Sequence, residues 1–173
     1  QVGAVADAPT LRTGPAIGAE DGAIALRLSA ATTDIDGSER IAAFRIHDLP
    51  DGAVVRAGGA VLAREADGSV LVDAAAAPGL TVTTPPDSDA DFTLRVSAIA
   101  EEPNGSRAES APRDLPVRVA AVADAPIWLR VGASGTEDSA IPLGLAAQLP
   151  DADGSERMTY VISGLPAGAV LNT

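Results

Sequence analysis

The strongest constraint on this chain is that it repeats itself. Val5-Ala6-Asp7-Ala8-Pro9 returns as Val122-Ala123-Asp124-Ala125-Pro126. Glu20-Asp21, followed by Ala23-Ile24, returns as Glu137-Asp138, followed by Ala140-Ile141. The acidic stretch Asp34-Ile35-Asp36-Gly37-Ser38-Glu39-Arg40 returns as Asp151-Ala152-Asp153-Gly154-Ser155-Glu156-Arg157. Asp7 to Asp124, Glu20 to Glu137 and Asp34 to Asp151 are each 117 positions apart. After one residue is lost, Leu49-Pro50 and Gly52-Ala53-Val54 match Leu165-Pro166 and Gly168-Ala169-Val170. Self-similarity at a fixed period marks an array of structural units. The chain divides accordingly into the end of a preceding repeat (1–4), one whole repeat (5–121) and the first part of a second, cut off at Thr173 (122–173).

Each unit reads as a series of short strands separated by Gly, Pro, Asp and Asn, and no helical periodicity competes over any long window. Ile24, Leu26 and Leu28 share one face of Ala23 to Leu28. Ile41 to Ile46 comes after the acidic stretch, and Leu49-Pro50-Asp51-Gly52 turns the chain. Val61-Leu62 and Val70-Leu71-Val72 flank Asp67-Gly68, a hairpin signal. Leu80-Thr81-Val82 is next, and Pro85-Pro86 breaks the pairing. Phe92, Leu94, Val96 and Ala98 then alternate with Asp91, Thr93, Arg95 and Ser97, the pattern of a strand with one wet face. Leu115, Val117 and Val119 alternate in the last strand, which runs straight into the second linker. The expected fold is all-β, a Greek-key sandwich of seven strands per repeat. A sandwich without its later strands cannot close a core, so 127–173 should be poorly packed or completed by another chain.

Composition narrows the function. There are 24 acidic residues against 12 basic ones, all of the latter Arg, for a net charge of −12. Such a balance argues against nucleic acid and anionic membranes as partners, and suits divalent cations. No apolar stretch approaches the roughly 18 residues of a membrane span, so membrane insertion is not expected. With no cysteine, disulfides cannot staple the fold. Aromatics make up only 2% of the chain, so the core must be built from small aliphatic side chains, which makes another kind of staple more valuable. The pattern starts and stops partway through a unit, so the sequence reads as a fragment.

The acidic stretch suggests what that staple is. Two carboxylates two residues apart repel unless a cation or donor hydrogens lie between them. Ca2+ takes oxygen ligands only, about six to eight of them, so the stretch is not a whole site. Strand parity supplies partners. Glu20 lies where the first strand finishes, Asp87 and Asp89 lie just before the sixth strand, and Asp124 comes after the seventh. If strands alternate up and down, these four share one end of the repeat. Asp34 and Asp36 fall at the opposite end, with Asp7 as the earlier counterpart of Asp124. By repetition, Asp151 and Asp153 would face the junction from the next unit. The expected metal ligands are thus Glu20, Asp87, Asp89, Asp124, Asp151 and Asp153, with Asp7, Asp34 and Asp36 in the equivalent earlier position. Asp91 reads as an exposed strand residue. The acidic stretch is not an EF-hand, because its Gly falls too early and Arg45 or Ile162 stands where a bidentate Glu is needed.

The ordered set of motifs resembles the cadherin repeat: linker Asp-Ala-Pro, then Glu-Asp, then Asp151-Ala152-Asp153-Gly154-Ser155-Glu156 with Tyr160-Val161-Ile162 beyond it. Phe92 to Ala98, leading to a Pro-terminated linker, adds to the likeness. It is similar above all to the cadherin-like, Ig-like tandem repeats of giant bacterial surface adhesins exported by type I secretion. The resemblance covers essentially the whole chain. It implies an extracellular, cell-surface stalk serving adhesion or biofilm formation, with Ca2+ (one or two ions per junction) stiffening the joints between neighbouring repeats of the same chain. Other domains of such a protein would make any homophilic or surface contacts.

A second reading is a carbohydrate-binding β-sandwich module of a secreted protein, for which Trp128 and Tyr160 are the only large aromatic candidates besides two Phe. Both fit core or junction packing better than a sugar platform. His47, the single histidine, has neither Cys nor a second His to join it, and reads as a strand-end surface residue. No nucleophile elbow, phosphate loop or zinc motif is present, and nothing marks a cleft between paired carboxylates. An enzyme is not expected.

Overall fold

The computed structural model describes residues 3–34, 37–151 and 154–172. The chain falls into two units, Gln1–Val122 and Ala123–Thr173. The first contains β1 (Thr10–Thr13), β2 (Ala16–Ala19), β3 (Ile24–Ala25), β4 (Leu28–Ala31), β5 (Arg40–His47), β6 (Val54–Ala57), β7 (Ala60–Val61) and β8 (Val70–Asp73). A 3-10 turn (Ala74–Gly79) leads on to β9 (Leu80–Thr83), β10 (Phe92–Glu101), β11 (Arg107–Glu109) and β12 (Arg113–Ala120). Among the described residues no helix is long and apolar enough to cross a membrane.

β10 is the strand the first unit is built on. Its even positions Leu94, Val96 and Ala98 are fully buried, as their alternation requires. β5 and β12 pair with it antiparallel on either side, β8 extends the sheet beyond β5, and β2 runs parallel to β12 at the other edge. A second sheet runs β3-β9-β6-β7, and β1 pairs with β4 separately. Leu94, Val96, Leu115, Val117, Phe44 and Ile46 from the large sheet form one cluster with Ile24, Val55, Leu80 and Val82 from the second. Each Val, Leu or Ile so buried contributes about 1.5–3 kcal/mol, and their number compensates for the lack of aromatics. The unit is all-β, in the manner of a sandwich.

Three local readings change. The strand expected over Ala23 to Leu28 is divided: β3 pairs with β9 and β4 with β1, so one apolar run serves two sheets. Ile24 and Leu26 remain inside. The strand at Ala60 pairs back on β6 through Gly58-Gly59, rather than forward across Asp67-Gly68. Both glycines have positive φ (56° and 87°), which a two-residue hairpin turn of this hand requires and a side chain would resist. Asp67-Gly68 still turns the chain, but there the pairing is a single bridge, Arg64 to Val70. Finally, β10 runs on past Ala98 to Glu101, where Ile99 and Ala100 are also buried.

The second unit repeats the opening of the first in detail. β13 (Ile127–Arg130) pairs with β14 (Ala146–Gln148), Ile127 opposite Gln148 and Trp128 opposite Ala147. Shifted by 117, that is the β1–β4 register, Thr10 opposite Ala31 and Leu11 opposite Ala30. A Cβ on Gly18 would lie 2.6 Å from Ile24 Cγ1, and one on Gly135 would lie 2.6 Å from Ile141 Cγ1. Beyond β14 the two units diverge. Arg157 to Gly164, which corresponds to β5, has no strand partner among the described residues. In the first unit β5 is held by β8 and β10, and the second unit's described residues contain no counterpart of either. Leu11 is 3% exposed and Ile24 1%, but their equivalents Trp128 and Ile141 are 57% and 45% exposed. The repeat sets local geometry, and among the described residues no strand covers the apolar face of the second unit.

Candidate metal site

At the end of the first unit where β2 and β12 finish, three loops converge. β2 runs directly into Glu20, which is buried. Its backbone N–H donates to Ala120 O at 3.1 Å, and its Oε1 accepts from Val122 N–H at 2.7 Å. Glu20 therefore ties the start of the departing linker to the strand before it. The next residue, Asp21, turns outward with φ of +55°, and Asp87 has φ of +54°. This left-handed region is costly for most side chains, but Asp and Asn visit it more readily than others. Asp21 Oδ1 accepts from the backbone N–H of Asp87 at 3.3 Å. One carboxylate oxygen from each of Asp21, Asp87 and Asp124 lies within 4.8 Å of the others. Asp124 stands two residues beyond Val122, on the segment that leaves β12, so the chain itself delivers it there.

Oxygens this close could share a hard cation. Ca2+ binds oxygens at about 2.3–2.6 Å, so two of its ligands lie at most about 5 Å apart. The three carboxylates could hold such an ion, with backbone carbonyls and water filling the remaining positions.

The opposite end of the unit, where β5 starts and β10 finishes, gathers further acids. The backbone N–H of Asp7 donates to Glu39 Oε1 at 2.7 Å. Ala6 N–H donates to Ser106 Oγ at 3.0 Å, and Asn104 Nδ2 donates to Ala4 O. The arriving linker is thus pinned to the loop after β10. Glu39 and Glu102 are both buried, and Oε2 of each lacks a hydrogen-bond partner among the described residues. Glu101 opposes Arg40 in the sheet, so Glu39 and Glu102 form the next position along the same pairing. An unsatisfied buried carboxylate oxygen is expensive, and a donor hydrogen or a cation relieves that cost. The second unit repeats the key contact: Glu156 Oε1 accepts from Asp124 N–H, and Glu156 Oε2 is likewise buried without a partner among the described residues.

The residues expected from sequence fall into separate groups. Asp87 and Asp124 come together, joined by Asp21 rather than by Glu20, whose carboxylate receives the linker instead. Asp89 lies on the same loop as Asp87. Asp151 is buried, and its Oδ2 accepts from Ser155 Oγ at 3.2 Å. Asp34 precedes β5 at the Glu39 end, and Asp7 enters there through its backbone. Asp36 and Asp153 lie outside the described residues. Asp91 is engaged elsewhere: its oxygens accept from Arg118 and from Val119 N–H, and the Arg118 bond holds its carboxyl below the usual carboxylate range. Sequence reasoning passed over Asp21, Glu39 and Glu102. For the first two a signal existed, since Glu-Asp and the Glu of Asp-Gly-Ser-Glu recur in both units. Glu102 carried none.

Comparison with protein-family models, with characterised proteins and with solved structures finds no match to this chain.

Proposed function

We propose that this protein is a calcium-binding extender module of a bacterial cell-surface adhesin, extracellular and arrayed in tandem. In this reading Ca2+ seated by Asp21, Asp87 and Asp124 fixes the linker where it leaves a repeat. Glu39 and Glu102, with Asp7 and Asp34, serve the end at which the previous linker arrives, and Asp36 joins them on sequence grounds alone. The Greek-key order and the cadherin-like character of the repeat belong to the same proposal. The observation that carries it is the meeting of three carboxylates from separate loops, one of them on the linker itself. The two linker-to-Glu hydrogen bonds, 32 residues apart in each unit, support it.

Isothermal titration of the full chain with Ca2+ tests the proposal. A saturable binding heat at millimolar Ca2+ or below is expected, reduced in Asp87→Asn. A flat titration in wild type ends the calcium reading. The carbohydrate-binding alternative leans on the Trp128–Tyr160 pair, whose ring centroids are 5.7 Å apart. The rings are tilted by 47°, not coplanar, and Trp128 occupies the position of core residue Leu11, so the pair suits packing better than sugar stacking.

A further inference from the structure

We propose that Arg64, which forms no ion pair among the described residues, is a positioning residue for the Asp87 arm of the cation site. This rests on reading Asp21, Asp87 and Asp124 as that site. The Arg64 guanidinium donates through Nη1 to Leu49 O at 2.9 Å, and through Nη2 to Pro50 O and to Ala53 O at 3.2 Å. One planar fork therefore gathers three carbonyls of the turn at 49–53, which Ala53 N–H closes on Pro50 O at 3.2 Å. Lysine offers a point charge instead of this fork.

The turn in turn abuts the metal loop. Val54 opposes Thr83 in the β6–β9 pairing, so the residues just before β6 face those just after β9. Gly52, at φ of +84°, passes so close to Pro85 that a Cβ there would sit 3.3 Å from Pro85 Cβ. Pro85 and Pro86 restrict the backbone, and Asp87 comes next with its left-handed φ and its N–H on Asp21. A displacement of the 49–53 turn is thereby transmitted to Asp87 through two stiff residues. Arg64 itself sits in the β7–β8 connection, bridged to Val70, and so anchors the turn to the large sheet. Residues hydrogen-bonded to ligands commonly change metal affinity by about 10–100-fold when removed; Arg64 acts one step further out, through the turn, so the lower end of that range applies.

The test compares Arg64→Met, Arg64→Lys and Leu11→Ala in the full chain, with Leu11 a core residue in the separate β1–β4 pair. Two quantities are read: amide exchange and resonance position of Asp87 by NMR in metal-free protein, and Ca2+ affinity by titration. Arg64→Met is expected to speed exchange at Asp87 and weaken Ca2+ binding about tenfold, with Arg64→Lys between it and wild type. Leu11→Ala is expected to lower the melting temperature while leaving both readouts in place. An unchanged Asp87 amide and affinity in Arg64→Met overturns the proposal, as does an equal change in Leu11→Ala. If Asp87 responds to Arg64 while wild type binds no Ca2+, the mechanical link stands and the cation reading falls.

Discussion

Asp21→Asn should raise the melting temperature without Ca2+ and lower it with Ca2+. Asparagine keeps the left-handed backbone at this position and keeps an oxygen to accept the Asp87 N–H. What it removes is one of three charges within 4.8 Å of one another. Two unit charges at that distance repel by about 0.9 kcal/mol in water, and 0.1 M salt brings this to roughly 0.5. Two such pairs vanish, so the metal-free protein gains about 1 kcal/mol, a rise of roughly 3–6 °C for a unit of this size. In Ca2+ at about a hundred times its dissociation constant, wild type gains about 2.7 kcal/mol. A variant that binds about a hundredfold more weakly keeps only about 0.4 of that. The order of the two melting curves therefore inverts between chelator and Ca2+. The assay is calorimetry or circular dichroism in both conditions. A variant that melts below wild type in chelator, or that gains as much from Ca2+, refutes the reasoning.

Other perturbations report on the fold. Leu94→Ala, at a fully buried position on β10, should cost about 2–5 kcal/mol in urea denaturation, whereas Leu129→Ala, on exposed β13, should change it by under about 0.5. Gly18→Ala should cost about 1–3 kcal/mol by pressing on Ile24, again read by denaturation. Acid sensitivity comes from depressed carboxyls. The hydrogen bonds from Arg118 to Asp91 and from Arg95 to Asp48 lower both below their ordinary value of 3.8. A carboxyl lowered in the folded state stabilises above its unfolded pKa and loses that contribution as pH falls through the folded one. Wild type should thus lose stability as pH drops below about 4, and Asp91→Asn should flatten that slope in an acid titration monitored by circular dichroism.

The period of 117, the strand character of the chain and the approach of Asp87 to Asp124 were legible from residue order alone. They depend on local pattern: alternation comes from the two-residue pleat, and a copied motif carries copied geometry, as the shared β1–β4 and β13–β14 registers demonstrate. Which of two adjacent carboxylates turns inward was not legible. Glu20 goes in because the linker's Val122 N–H awaits an acceptor, and Asp21 goes out because its backbone turns left-handed there. Both causes come from chain a hundred residues away or from the path between sheets.

The same limit explains the divided strand at Ile24 to Ala31 and the hidden pairing of Glu39 with the linker. A strand's sequence states which side chains want burial, but its partner is chosen by the whole sheet. Tertiary structure alone decided which sheet each half of the run at 24–31 joins and which acid the arriving linker meets. Burial is a property of both surfaces in a contact, and the sequence of one surface can describe only its own half.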